Sequence, residues 1–169
     1  MTTRQLVLVR HAKAAQDGGA DEDRPLATRG TVDAPAIGRW LTDGGVAPDR
    51  VVVSPARRAR QTWGLASAEM AGVPEPVLDG RVYDNTVASL LDAVHDTPEG
   101  VGTLVLVGHN PSMQETAMTL DDGSGDEATR REMTGKFPTS GVAVFGVEQE
   151  WPDVAAGSGR LVAFSAPRG

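Results

Sequence analysis

The chain has 169 residues, of which 40% are hydrophobic and 23% charged, an ordinary globular composition that excludes a disordered or fibrous protein. Its net charge of -7 disfavours nucleic acid and anionic membranes as partners, because both surfaces repel an acidic chain. The absence of cysteine excludes disulfides, thiolate metal sites and a cysteine nucleophile.

Apolar runs in the sequence are short, and the longest have about five to seven residues where a membrane-spanning helix needs about 20. No basic segment leads into an apolar one at the N-terminus. We therefore expect a single domain over residues 1–169 in the cytoplasm.

Strand-like and helical segments alternate along most of the chain. The strand-like runs are residues 5–9, 51–53 and 103–107, and the helical spacing falls in residues 34–41, 59–66 and 87–94. This order predicts an α/β fold, a three-layer α/β/α sandwich around a mostly parallel central sheet. Residues 142–147 and 160–164 predict two more strands, joined as a hairpin.

Two acidic segments that contain glycine, residues 16–23 and 121–127, are typical of exposed, mobile loops. Each is either a solvated loop or a lid that screens the anions entering a site. The sequence leaves both interpretations open.

Polar residues follow the three predicted parallel strands. His11 stands after the first strand beside Arg10, Ser54 after the second and His109 after the third. Ligands of open α/β sheets bind beyond the carboxyl ends of the strands, so these three corners are expected to form one site.

Helix starts beside these corners favour an anionic ligand. Ser54 is predicted to cap a helix with Pro55 in its first position, and Asn110 to cap another over residues 112–120, whose free N–H groups face the pocket. The first helix carries arginines where its positive end disfavours them, namely Arg57, Arg58 and Arg60. A phosphoryl group is the common biological ligand of such a site.

The two strand-end histidines suit different tasks in phosphoryl transfer. Neutral imidazole is a nucleophile, so His11 is the predicted nucleophile, kept unprotonated by Arg10 and Arg58. His109 is predicted to be protonated and to donate hydrogen bonds to the phosphoryl oxygens. His95 lies within a helical segment without a partner motif and is interpreted as structural.

Four segments of the chain form a recognisable pattern: LVRHAKA at residues 8–14, DRPLATRG at 23–30, SPARRARQT at 54–62 and VGHNPSM at 107–113. In this order they resemble the histidine phosphatase superfamily, specifically its short SixA-like phosphohistidine phosphatase branch. The resemblance implies a phosphoglycerate mutase-like fold, a phosphorylated His11, phosphoryl oxygens held by Arg10, Arg58 and His109, and no metal or organic cofactor.

Some family positions have open roles. Arg58 rather than Arg57 occupies the motif position, so Arg57 is expected at the surface or rim. Arg24 and Gly30 are expected to hold a loop, and Lys13 either adds positive potential or points to solvent. Asp84 stands where mutase-like relatives have an acidic proton donor, and it is either a general acid or an exposed carboxylate.

The sequence therefore predicts a metal-independent phosphatase that acts on a phosphorylated small molecule or a phosphohistidine protein. A phosphoglycerate mutase-type phosphotransferase and a non-catalytic phosphate-binding module are the alternatives. The short chain favours an open site, and an absent acid favours leaving groups that depart readily, such as the imidazole of phosphohistidine.

Overall fold

A computed structural model describes residues 3–16 and 19–169 of the chain. Six strands form one sheet in the order β3-β2-β4-β1-β5-β6. Their bounds are Arg4–Arg10 (β1), Arg50–Val53 (β2), Val77–Leu78 (β3), Thr103–Gly108 (β4), Val142–Val147 (β5) and Gly159–Ser165 (β6). Strands β1 to β4 are parallel, whereas β5 runs antiparallel to β1 and forms the predicted hairpin with β6.

Helices cover both faces of the sheet. Their bounds are Thr28–Asp43 (α1), Arg57–Ser67 (α2), Gly80–Tyr83 (α3), Val87–His95 (α4), Ser112–Leu120 (α5) and Glu127–Gly135 (α6). Alternate side chains of β1 enter the two layers: Val7 and Val9 pack with α1 and α2, whereas Leu6 and Leu8 pack with the helices of the opposite face. The predicted three-layer α/β/α sandwich is confirmed.

Three elements of the structure were not predicted from the sequence. Strand β3 has two residues, α3 has four, and α6 begins at the end of the predicted acidic loop 121–127. That loop is not wholly solvated, because the Asp121 carboxylate is only 5% exposed and pairs with Arg130 of α6 at 2.8 Å. Within the other acidic segment, residues 17 and 18 lie outside the described residues.

The sheet order brings the predicted corners together. Strand β4 lies between β1 and β2, and its residues Val107 and Gly108 are paired with Val53 and Arg10. Residues 11, 54 and 109 therefore leave the same edge of the sheet. In the part of the chain that the structure describes, no helix has the length and apolar character needed to span a bilayer.

Candidate active site

His11 is held rigidly at the end of β1. Its backbone N–H donates to the Gly108 carbonyl at 3.0 Å, and the residue is only 8% exposed. The ring Nδ1 lies 2.7 Å from the carbonyl oxygen of Ala12. Because a carbonyl can only accept, Nδ1 carries the proton and Nε2 of the neutral ring keeps its lone pair.

The His11 ring is neutral near pH 7. Its pKa is lowered to about 3, chiefly by burial and to a smaller extent by the neighbouring His109, Arg58 and Arg10. The Ala12 carbonyl acts in the opposite direction. The predicted unprotonated state agrees with this pKa, although burial contributes more than the arginines on which the prediction was based.

Arg10 and Arg58 reach the same pocket from different elements. Arg10 ends β1 and donates from Nη1 to the Phe137 carbonyl at 3.0 Å, while its buried Nε has no hydrogen-bond partner among the described residues. Arg58, 7% exposed, is the second residue of α2. Its Nη1 and Nη2 donate to the carbonyl and carboxylate of Asp21 at 2.8 and 3.0 Å.

His109 follows β4 and faces His11. The two ring centroids are 5.2 Å apart, and His109 is 4% exposed. Its Nε2 lies 2.8 Å from the Ser54 hydroxyl, whereas its buried Nδ1 has no partner in the described structure. Burial, followed by the charge of Arg58, lowers the His109 pKa to about 4, so the predicted protonated ring is wrong for the free protein at neutral pH.

The predicted helix caps differ in detail. Ser54 is not the cap of α2, which begins at Arg57 after Ala56. The Ser54 hydroxyl instead accepts from the Ala56 N–H at 3.2 Å and reaches His109. The helix therefore begins two residues later than the Ser-Pro pair predicts, a shift that the sequence pattern does not reveal.

Helix α5 has the predicted bounds, but its first N–H groups do not face the pocket as predicted. The Ser112 N–H donates to the Asn85 side chain at 3.1 Å, and the Gln114 N–H donates to the Asn110 side chain at 3.1 Å. Met113 donates to the His109 carbonyl. The side chains of the site, rather than this helix end, therefore supply the donors for an anion.

Asp21, which sequence reasoning did not single out, lies in the pocket. Its carboxylate accepts from Arg58, from Arg24 at 2.9 Å and from the Tyr83 hydroxyl at 2.7 Å. The Tyr83 hydrogen bond is the largest cause that holds the Asp21 pKa well below its usual range, and the two arginines add to it. Asp21 is therefore ionised at neutral pH.

The pocket has a volume of about 370 Å³. Nine residues line it: Arg10, His11, Asp21, Arg24, Arg58, Tyr83, Asn85, His109 and Asn110. Sequence reasoning also missed Tyr83 and Asn85. Their signal was their place directly before and directly after the predicted acid position, Asp84, at the end of a helix too short to detect.

The remaining candidates lie elsewhere or act in other ways. Asp84 is exposed and does not line the pocket, and Lys13 and Arg57 are exposed. Arg24 both lines the pocket and holds the loop, because its Nε donates to the Ala15 carbonyl at 2.9 Å. A Cβ at Gly30 would overlap the Lys13 carbonyl, which explains the glycine. His95 bonds the Val154 carbonyl, away from the pocket.

Over residues 3–16 and 19–169, no three histidine or acidic side chains are grouped closely enough to hold a metal ion. The donors that converge on the pocket are arginine, histidine and tyrosine, and cationic guanidinium groups repel a metal cation. Such a donor set suits an oxyanion.

The fold and the residues of the pocket agree with the Histidine phosphatase superfamily (branch 1), whose family model matches residues 6–83. The phosphohistidine phosphatase SixA of Escherichia coli K12 is 35% identical over 115 residues, which cover 63% of this chain and 68% of SixA. The chain belongs to the histidine phosphatase superfamily.

Two further comparisons extend over nearly the whole chain. The uncharacterized protein Rv1276c of Mycobacterium tuberculosis is 41% identical over 163 residues, which cover 95% of this chain and all of that protein. A structure assigned to the SixA phosphohistidine phosphatases, from Nakamurella multipartitia, has a TM-score of 0.87 and 30% identity, and covers 99% of this chain and 98% of that one.

Proposed function

We propose that this protein is a phosphatase that takes a phosphoryl group onto Nε2 of His11 and then transfers it to water. One observation carries the proposal: His11, whose neutral ring keeps a lone pair on Nε2, lines one pocket with Arg10, Arg58 and His109. Guanidinium and imidazole N–H groups are suitable donors for a phosphoryl oxyanion. The buried Arg10 Nε and His109 Nδ1 have no hydrogen-bond partner among the described residues.

In the first step the Nε2–P bond forms as the bond from phosphorus to the leaving group breaks, and the leaving group departs with the electron pair. In the second step the oxygen of a water molecule attacks phosphorus, the Nε2–P bond breaks, and inorganic phosphate and neutral His11 are released. Negative charge on the phosphoryl oxygens is held by Arg10, Arg58 and His109. These residues and His11 are the proposed catalytic residues.

The favoured substrate is a phosphohistidine in a protein, and phosphomonoesters with good leaving groups are the second class. Asp21 is the one acidic side chain among the described lining residues, and it is ionised, so it has no proton for a leaving group. An alkoxide leaves poorly without a proton, whereas the imidazole of phosphohistidine leaves readily. The similarity to the E. coli phosphohistidine phosphatase SixA supports this substrate class.

Rapid quenching with a phosphohistidine peptide labelled in its phosphoryl group tests the intermediate. An alkali-stable, acid-labile phosphoprotein is expected in the wild type and in His95→Gln, and none in His11→Ala. Release of inorganic phosphate, rather than return of the phosphoryl group to another position of a phosphoacid, separates a phosphatase from a mutase. Normal turnover by His11→Ala would overturn the proposal.

A further inference from the structure

We propose that the hydroxyl of Ser54 fixes the tautomer of His109, so that the neutral ring carries its proton on Nδ1 and donates it as a hydrogen bond to the phosphoryl group. Ser54 is thus a positioning residue that acts through His109. The donation to a phosphoryl group rests on the proposed function. The tautomer of His109 in the free protein does not depend on it.

Ser54 is fixed in place by its surroundings. It is fully buried directly after β2, and its backbone N–H donates to the Val107 carbonyl at 3.0 Å. Its hydroxyl oxygen accepts from the Ala56 N–H at 3.2 Å and lies 2.8 Å from Nε2 of His109. The hydroxyl proton therefore has one acceptor available among the described contacts, which is that ring nitrogen.

Counting protons distinguishes the two tautomers of a neutral His109. If the proton is on Nε2, it points at the Ser54 oxygen, and the buried Ser54 O–H has no acceptor. If the proton is on Nδ1, the Ser54 O–H donates to Nε2 and is satisfied. The Nε2–H tautomer therefore leaves two buried groups unpaired, the Ser54 hydroxyl proton and the Nδ1 lone pair. The Nδ1–H tautomer leaves only the Nδ1 proton unpaired in the free protein, so it is favoured.

Other contacts support a fixed and neutral ring. The Tyr83 ring meets the His109 ring edge to face, with centroids 5.7 Å apart and planes at 87°. Burial lowers the His109 pKa to about 4, so the neutral form, in which tautomers differ, is the one present at neutral pH. Nδ1 is the nitrogen of this ring that has no partner among the described residues.

The two histidines of the site then offer different ring nitrogens to a phosphoryl group. His11 has its proton on Nδ1 because of the Ala12 carbonyl, which leaves a lone pair on Nε2 for attack. His109 has its proton on the same atom because of Ser54, but the ring is turned so that this N–H remains for the phosphoryl oxygen. One tautomer in two orientations provides a nucleophile and a donor.

Nitrogen-15 NMR of the free protein tests the tautomer without a substrate. Spectra at about pH 8, above the ordinary histidine pKa of about 6.5, should show a protonated Nδ1 and an unprotonated Nε2 for His109. His95 is an internal reference for the opposite tautomer, with the proton on Nε2, because this nitrogen faces the Val154 carbonyl at 2.7 Å. Single His→Gln variants assign the signals. A protonated Nε2 in His109 of the wild type would overturn the inference.

Three variants test the role of the hydroxyl. Ser54→Ala should lower the fraction of Nδ1–H tautomer, and Ser54→Thr, which keeps the hydroxyl, should restore it. Thr116→Val is the matched control, because the Thr116 hydroxyl is also fully buried but has no hydrogen-bond partner in the described structure and does not line the pocket. Thermal unfolding of each variant reports whether the fold is retained.

Kinetics on the phosphohistidine peptide complete the test. Ser54→Ala is expected to lower kcat by about tenfold or more with a smaller change in KM, since a lost oxyanion donor acts mainly in the transition state. Unchanged kcat in a variant whose tautomer has shifted would overturn the positioning role. If no protein, wild type included, hydrolyses any phosphoryl substrate while His109 has the expected tautomer, the proposed function fails and the tautomer assignment stands.

Discussion

The carboxylate of Asp21 is bonded to the guanidinium of Arg58 at 3.0 Å, inside the pocket that is proposed to hold a phosphoryl group. An ionised carboxylate there has the charge of a phosphoryl oxygen and uses the same donors. Arg58 has five N–H groups, and two of them serve Asp21. The free site is thus already partly neutralised by the chain itself.

Replacing Asp21 by Asn should tighten the binding of inorganic phosphate. The amide keeps an acceptor for Arg58 and removes the negative charge, and loss of this half-exposed charge is expected to lower the phosphate Kd by about threefold to tenfold. Calorimetric titration measures the Kd. Asp23→Asn, which makes the same charge change in an exposed residue outside the pocket, is the control. Weaker binding in Asp21→Asn would mean that the carboxylate orients Arg58 for the ligand.

Arg58→Lys should lower kcat/KM by about 100-fold or more, because a single ammonium replaces a buried planar fork of donors. The neighbouring Arg57 is exposed, so Arg57→Lys is expected to change kcat/KM by less than about twofold. The kcat/KM of both variants is measured with one activated aryl phosphate. Equal losses in the two variants would contradict the assignment of Arg58 to the site.

Acid should destabilise the folded protein through its buried histidines. The pKa of His11 is about 3 in the folded chain and about 6.5 when unfolded. Below pH 6.5 the unfolded state therefore binds the additional proton, and the free energy of unfolding decreases as the pH is lowered. Between pH 7 and pH 5, His11 alone should account for a loss of about 2 kcal/mol in the free energy of unfolding.

Urea unfolding of the wild type and His11→Asn at both pH values measures this contribution. The variant lacks the titrating ring and should lose about 2 kcal/mol less than the wild type between pH 7 and pH 5. His95→Asn serves as the control for loss of a histidine outside the site. Equal pH dependence in wild type and His11→Asn would show that the His11 pKa is not lowered.

Asp84→Asn should leave the hydrolysis of alkyl and activated aryl phosphates within about twofold of the wild type, because a general acid must reach the leaving group and the Asp84 side chain is exposed outside the pocket. The ratio of kcat/KM for the two esters is the measurement. A selective loss with the alkyl ester would identify Asp84 as the proton donor after all.

Ser140 has a φ of 64°, a left-handed conformation that favours glycine, and its buried hydroxyl has no partner among the described residues. Ser140→Gly should therefore be more stable than Ser140→Ala by about 1 kcal/mol, since alanine loses the hydroxyl but keeps the strain. Chemical unfolding compares the two variants. Equal stability would mean that the backbone there relaxes at little cost.

Sequence patterns predicted the parts of this protein that depend on local order. Strands β1, β2 and β4 are apolar runs, and the residues at their ends are adjacent in the chain to those runs. The rule that ligands bind at the carboxyl ends of strands was then sufficient to group His11 with His109. The structure places both in one pocket.

The missed features depend on contacts between distant segments. Asp21 reaches Arg58 across 37 positions of the chain, and nothing in an acidic, glycine-containing segment indicates which of its carboxylates turns inward. The neutral state of His109 follows from burial by several elements together. The hydrogen bond between Ser54 and His109 spans 55 positions, so the local Ser-Pro pattern suggested a helix cap instead.

The main chain of His11 is fastened on both sides: its N–H donates to Gly108 of β4, and its carbonyl accepts from the Ser140 N–H at 3.0 Å. The proposed nucleophile, held in this way, cannot advance toward phosphorus by moving its backbone. In the proposed reaction, the phosphoryl group is therefore the group that moves. For a phosphorylated protein, this means that the donor side chain has to extend into the pocket until its phosphorus atom meets a stationary ring.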